Sequence, residues 1–230
     1  MLSALFAQFV EMLPYYLLSI PAVLITLMIH ELSHGFMAYR LGDPTARMMG
    51  RLSLNPLKHL DPIGTVCMIL FRFGWAKPVP INTRFFRNPK RGMALTALAG
   101  PASNIITAFF ALPLFYLTGI VQSVAAELDA AVFVLRALYF LAYFFYILHT
   151  VNIGLALFNL IPIPPLDGSR VLFAFLPTRY YFGIMRYERY FSLVLMLIVF
   201  LGARFDFLDN LSGFVSYLMQ RIWSIIPIFR

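Results

Sequence analysis

Long apolar runs separated by short polar punctuation set the pattern of this chain. From Met12 to Tyr39 the only formally charged side chain is Glu31. That run exceeds the roughly 20 residues needed to cross ~30 Å of hydrocarbon. A first membrane span is therefore predicted from about Pro14 to Tyr39, closed by Arg40. Residues 40–91 break the pattern with prolines, glycines and basic side chains. Within them "GRLSLN" alternates polar and apolar and "KPVPIN" must be extended around its prolines, so short strands or a re-entrant hairpin are predicted there. A second span is predicted from about Gly92 to Val121, opening on the small residues of "MALTALAGPAS", which permit close helix approach. A third runs from about Ala130 to Leu160 and stops at "NLIPIPPLDG", where Pro162, Pro164 and Pro165 forbid a regular helix. "YFSLVLMLIVFLGA" and "SGFVSYLMQRIWSIIPIF" read as one further span each, or as a broken hairpin.

The expected fold class is an all-α polytopic membrane protein with about five transmembrane helices, in a range of four to six, and strand or re-entrant elements in the 45–90 connection. It reads as one integral membrane domain over residues 1–230, with a catalytic core at about 14–177 and additional membrane-associated helices over 178–230.

Composition sharpens this reading. Of the 230 residues, 61% are hydrophobic and only 12% charged, far too few for the surface of a soluble domain. The start, "MLSALFAQFVEML", lacks a basic n-region and is expected to belong to the mature protein. One cysteine, Cys67, excludes an internal disulfide and a zinc site built from several thiolates, and packing is its expected role. Between Arg40 and Arg91 lie ten basic residues and two acidic ones, Asp43 and Asp61, so this window alone carries 10 − 2 = +8. In a membrane protein such asymmetry is a topology signal facing the cytoplasm rather than a nucleic-acid footprint.

Into the first apolar run the sequence places "HELSH", residues 30–34, an H-E-x-x-H pattern. On a helix His30 and His34 point the same way one turn apart, and Glu31 lies beside them as a possible general base for a zinc-bound water. A catalytic zinc site normally has three protein ligands. His59, His149, Asp61, Asp167 and Glu188 are the candidates for the third. Asp167 is favoured, because it follows a helix-ending proline cluster where irregular backbone at membrane depth must line a cavity or be buried.

Together "HELSH", "AGPASN" (99–104) and "FNLIPIPPLDG" (158–168) resemble the site-2 proteases, intramembrane zinc metalloproteases, over about residues 25–175. "LNPLKHLDPIGT" further resembles a short bacterial subgroup without PDZ or CBS domains. The resemblance implies one Zn²⁺ per chain held by His30, His34 and Asp167, with Glu31 catalytic. It also brings Asn159 and Asn104 near the active site. Asn159 is a reasonable oxyanion donor or interhelical glue. His59 could approach the site mouth and position substrate, or bind a lipid headgroup. His149 and Asn152 are expected to hydrogen-bond within the bundle.

The implied function is hydrolysis of a peptide bond in or near a transmembrane segment of a membrane-protein substrate. The implied setting is a bacterial plasma membrane, with the site opening toward the cytoplasm and no nucleic-acid partner; oligomeric state is not readable. The rival is a non-proteolytic metal-binding membrane transporter or scaffold, which would show paired intramembrane charges in several spans; these are scarce here.

Overall fold

The computed structural model describes residues 2–71, 75–177, 183–184, 186–201 and 206–229. Helix α1 runs Leu2–Arg40 and carries Pro14 and Pro21 internally. Its end follows from sequence. Gly42 adopts φ +105°, and the amides of Gly42 and Asp43 turn back to the carbonyls of Tyr39 and Ala38, a left-handed stop that glycine accommodates without a Cβ clash. Two short helices follow, α2 (Thr45–Met48) and α3 (Pro62–Phe71). Helix α4 (Pro89–Glu127) starts where Asn88 caps the Arg91 amide and Pro89 takes the first turn. Helix α5 (Val132–Asn159) ends before the prolines. Then come α6 (Asp167–Phe173), α7 (Glu188–Phe200) and α8 (Asp206–Trp223).

Among the described residues, three helices are long and apolar enough to cross a membrane: Met12–Arg40, Pro89–Glu127 and Val132–Asn159. They match the three spans read from the sequence, with α4 extending beyond Gly92–Val121 at both ends. Helices α7 and α8 lie in the region expected to hold two further spans. The first has only 13 residues within the described segments, and the second opens on Asp206 and Asp209. Residues 202–205, inside "YFSLVLMLIVFLGA" and just after it, lie outside the described residues.

The long helices pack through small residues. Ala22 of α1, Ala111 of α4, and Ile147 and Leu148 of α5 form one cluster; Ala108, Leu112, Ile153 and Met219 join α4, α5 and α8 in another. Buried polar groups bridge them: Asn152 Nδ2 donates to Thr26 Oγ1 at 2.7 Å, and His149 meets the Ala108 carbonyl at 2.8 Å and Ser216 Oγ at 2.9 Å.

"GRLSLN" forms no strand among the described residues. The buried Arg51 guanidinium turns inward to the carbonyls of Lys58, Lys77 and Pro78, and Asn55 caps a 3-10 turn over Pro56–His59. The extended piece is "KPVPIN", tied to the rest of the connection by the Lys77 amide on the His59 carbonyl and one isolated antiparallel bridge, Leu60 to Ala76.

Candidate metal centre

His30 lies ten residues before the Arg40 end of α1, and Gly100 eleven residues into α4 from Pro89. At 1.5 Å per residue both sit roughly 15 Å from the basic end of the bundle. Here α4 presents a small face. A Cβ on Gly100 would lie 2.5 Å from His34 Cε1 and Nε2 and 2.7 Å from His30 Cε1, so the two imidazoles occupy the space that a side chain would fill.

Asp167 arrives from the other side. After α5 ends, the chain folds under the helix terminus so tightly that a Cβ on Gly168 would lie 2.2 Å from the Leu160 carbonyl oxygen. Only the LDG glycine permits that approach, and it turns Asp167, the first residue of α6, toward the histidines.

Three electron-pair donors converge. His30 Nε2 and His34 Nε2 are 3.0 Å apart, and each lies 3.2 Å from Asp167 Oδ2. In a tetrahedral zinc site with bonds of about 2.0–2.1 Å, neighbouring donor atoms lie about 3.3 Å apart. This triangle therefore has the size of one face of such a tetrahedron. His34 Nδ1 lies 2.7 Å from the Thr96 carbonyl, to which its N–H donates, leaving the Nε2 lone pair for a metal. Asp167 Oδ2 is buried without a hydrogen-bond partner, as a metal-directed oxygen would be. The residues fit zinc.

Beside the triangle, Glu31 Oε2 accepts the Val79 amide at 2.9 Å. A cavity of about 210 Å³ opens here, lined by Glu31, the three converging residues, Asn159 and Arg170 among others. A second, more apolar space of about 330 Å³ shares Glu31 and Asn159 and extends to Leu27, Trp75, Phe158 and Met196.

His30, Glu31, His34, Asp167 and Asn159 thus come together. Asn159 Nδ2 currently donates to the Leu155 carbonyl at 3.0 Å. Asn104 is fully buried one turn beyond Gly100 and does not line the cavity. His59 is also buried away from it, with Nε2 donating to the Ser53 carbonyl at 2.8 Å. Three participants were not singled out from sequence: Thr96, Val79 and Arg170. The first two act through backbone atoms, which no side-chain pattern signals. Arg170, which pairs with Glu188 at 3.1 Å, lies three residues after Asp167 and so on the same helix face.

A family model described as peptidase family M50 matches residues 18–202. YwhC of Bacillus subtilis, provisionally named a zinc metalloprotease, is 45% identical over 163 residues, covering 69% of this chain and 71% of that protein. Rip2 of Mycolicibacterium smegmatis, named in the same provisional way, is 29% identical over 163 residues, 68% of this chain and 56% of its own. Rip2 of Mycobacterium tuberculosis is 28% identical over 231 residues, 91% of this chain and 82% of its own. No solved structure matches the chain.

Proposed function

Because the chain belongs to peptidase family M50 and is a zinc metallopeptidase, we propose that it cleaves a peptide bond within or beside a transmembrane segment of a membrane-protein substrate. The observation that carries this reading is the 3.0–3.2 Å triangle of His30, His34 and Asp167 beside the Glu31 carboxylate, on a helix apolar enough to span a bilayer. A half-buried carboxylate in so apolar a helix is costly, and general-base work accounts for it.

His30, His34 and Asp167 hold zinc, which when bound supplies a Lewis acid that brings the pKa of water toward ~7 and polarises a carbonyl. Glu31 takes the proton of the attacking water and delivers it to the leaving amine. With Oε2 engaged by Val79, proton transfer falls to Oε1. Asn159, on the cavity wall, turns its amide from the Leu155 carbonyl to the developing oxyanion. The apolar space at Leu27, Phe158 and Met196 receives the substrate's hydrophobic side chains, while the extended wall at 78–81 faces its unwound backbone. The excess of basic residues over 40–91 supports a cavity mouth that opens toward the cytoplasm of a bacterial plasma membrane.

The test is cleavage of a single-span model substrate by purified protein in detergent, wild type against Glu31→Gln. Zinc content is expected to stay at one per chain in both, with cleavage lower in the variant by at least about 100-fold. Undiminished cleavage by the variant removes Glu31 from the chemistry. Bound zinc with no cleavage of any single-span substrate favours the transporter or scaffold reading.

A further inference from the structure

Among the described residues, two charged side chains outside the metal centre are buried without an opposite charge bonded to them. Asp43 is fully buried and Arg51 is 8% exposed. Arg51 is held by backbone carbonyls, and Asp43 by two backbone amides and the Thr45 hydroxyl. Arg51 donates to the carbonyls of Lys58, Lys77 and Pro78. Asp43 Oδ2 accepts the Asn82 amide at 2.6 Å, and its Oδ1 accepts the Thr45 amide at 2.9 Å. Residues 77–82 are therefore pinned at both ends, with the Lys77 amide held in addition by the His59 carbonyl at 2.8 Å.

Midway between the pins lies the contact with Glu31. Pro78 and Pro80 have no N–H, so over residues 78–80 Val79 supplies the one amide donor, and it points at Glu31 Oε2. Across from it, Gly35 stands one helical turn after Glu31 on the same face of α1. A Cβ there would lie 3.0 Å from Val79 Cγ1 and 2.8 Å from Leu52 Cδ2. The missing side chain lets the 77–82 segment lie close against α1 at the level of the carboxylate.

We propose that residues 77–82 form a strap that orients the Glu31 carboxylate, with Arg51 and Asp43 as its positioning residues and Gly35 as the gap it seats in. A glutamate on a helix face has three rotatable bonds, and only some rotamers aim it at the site. The Val79 amide selects one of them, holding Oε2 and presenting Oε1. Buried charge is used for the pins because hydrogen bonds to charged groups are stronger than neutral ones, and a charge left without them would be costly. The inference rests on Glu31 being the general base.

Three variants test it: Arg51→Gln, Gly35→Ala and, as the conservative rescue, Arg51→Lys. Each is purified with zinc and assayed on the single-span substrate for kcat and KM separately. Arg51→Gln and Gly35→Ala are expected to lower kcat by about 10-fold or more, within the range known for groups that orient site residues, with KM nearly unchanged and one zinc retained. Arg51→Lys is expected to recover part of kcat. A kcat unchanged in both variants overturns the proposal, and so does loss of zinc in step with activity, which would make the strap a support of the metal centre instead. A second readout needs no activity. Amide exchange at Val79 is expected to be slow in wild type and to lose its protection in Arg51→Gln and in Glu31→Ala. Protection that survives both changes overturns the strap whatever the chain hydrolyses, whereas lost protection without any cleavage leaves it standing and counts against the protease reading alone.

Discussion

At Gly100 the metal centre depends on an absent side chain. His30 and His34 lean into the α4 surface there, and a methyl group would meet both rings at 2.5–2.7 Å. Helix backbone cannot recede to make room, so the imidazoles would have to rotate off the triangle. Gly100→Ala is accordingly predicted to lower zinc affinity by about 10–100-fold, the scale of lost ligand orientation, while α4 itself stays folded because alanine is the better helix former. Elemental analysis after dialysis against a graded chelator measures this, and full retention of zinc would contradict the packing. His34 adds a lesson of the same kind. Its imidazole is oriented by the Thr96 carbonyl, so replacing the Thr96 side chain should leave the bond in place.

At the scale of elements, the site lies where α1, α4 and α5 come together, and its depth follows from their lengths. Helix α5 ends on Asn159, which shares the cavity with His30 and His34, so the irregular 160–166 segment follows at the level of the histidines. That backbone is acceptable because its amides at Leu160, Ile161, Ile163 and Leu166 pair with nearby carbonyls, while Pro165 and Leu166 line the cavities beside Glu31. What holds α1 to α5 is partly apolar and partly the buried bond from Asn152 to Thr26. Thr26→Val keeps the shape and removes the acceptor, leaving one Asn152 N–H without its partner while the other still reaches the Leu148 carbonyl. The predicted cost is about 1–3 kcal/mol, read as a lower unfolding midpoint in detergent with zinc stoichiometry unchanged. An unchanged midpoint would mean that water replaces the hydroxyl and that the helix contact is wetter than its burial implies.

For the whole molecule, 39-residue α4 spans roughly 58 Å, well beyond a ~30 Å hydrocarbon core, long enough for its two ends to project on opposite sides of a bilayer. In a Cys67→Ser background, a cysteine at Arg87 and one at Glu127 report those sides. With an impermeant maleimide on intact cells, Glu127→Cys is expected to label and Arg87→Cys to label only after permeabilisation; the reverse pattern would invert the proposed topology. Much of this architecture was legible in sequence. Three spans could be placed because apolar length is a local property, and "HELSH" put two imidazoles and a carboxylate on one helix because i, i+4 geometry is local too. "PPLDG" announced an irregular turn that brings a carboxylate back toward the membrane interior. What lay beyond the sequence was every contact made by a backbone atom of a distant segment: the Val79 amide on Glu31, the Thr96 carbonyl on His34, and the carbonyls that draw Arg51 inward and leave "GRLSLN" without a strand. Tertiary structure also put His59 and Asn104 in buried positions off the cavity wall. The physical reason is that side-chain type and spacing encode what a segment can offer, whereas backbone donors and acceptors are the same at almost every position. Which of them meets a catalytic side chain is decided only when the helices pack.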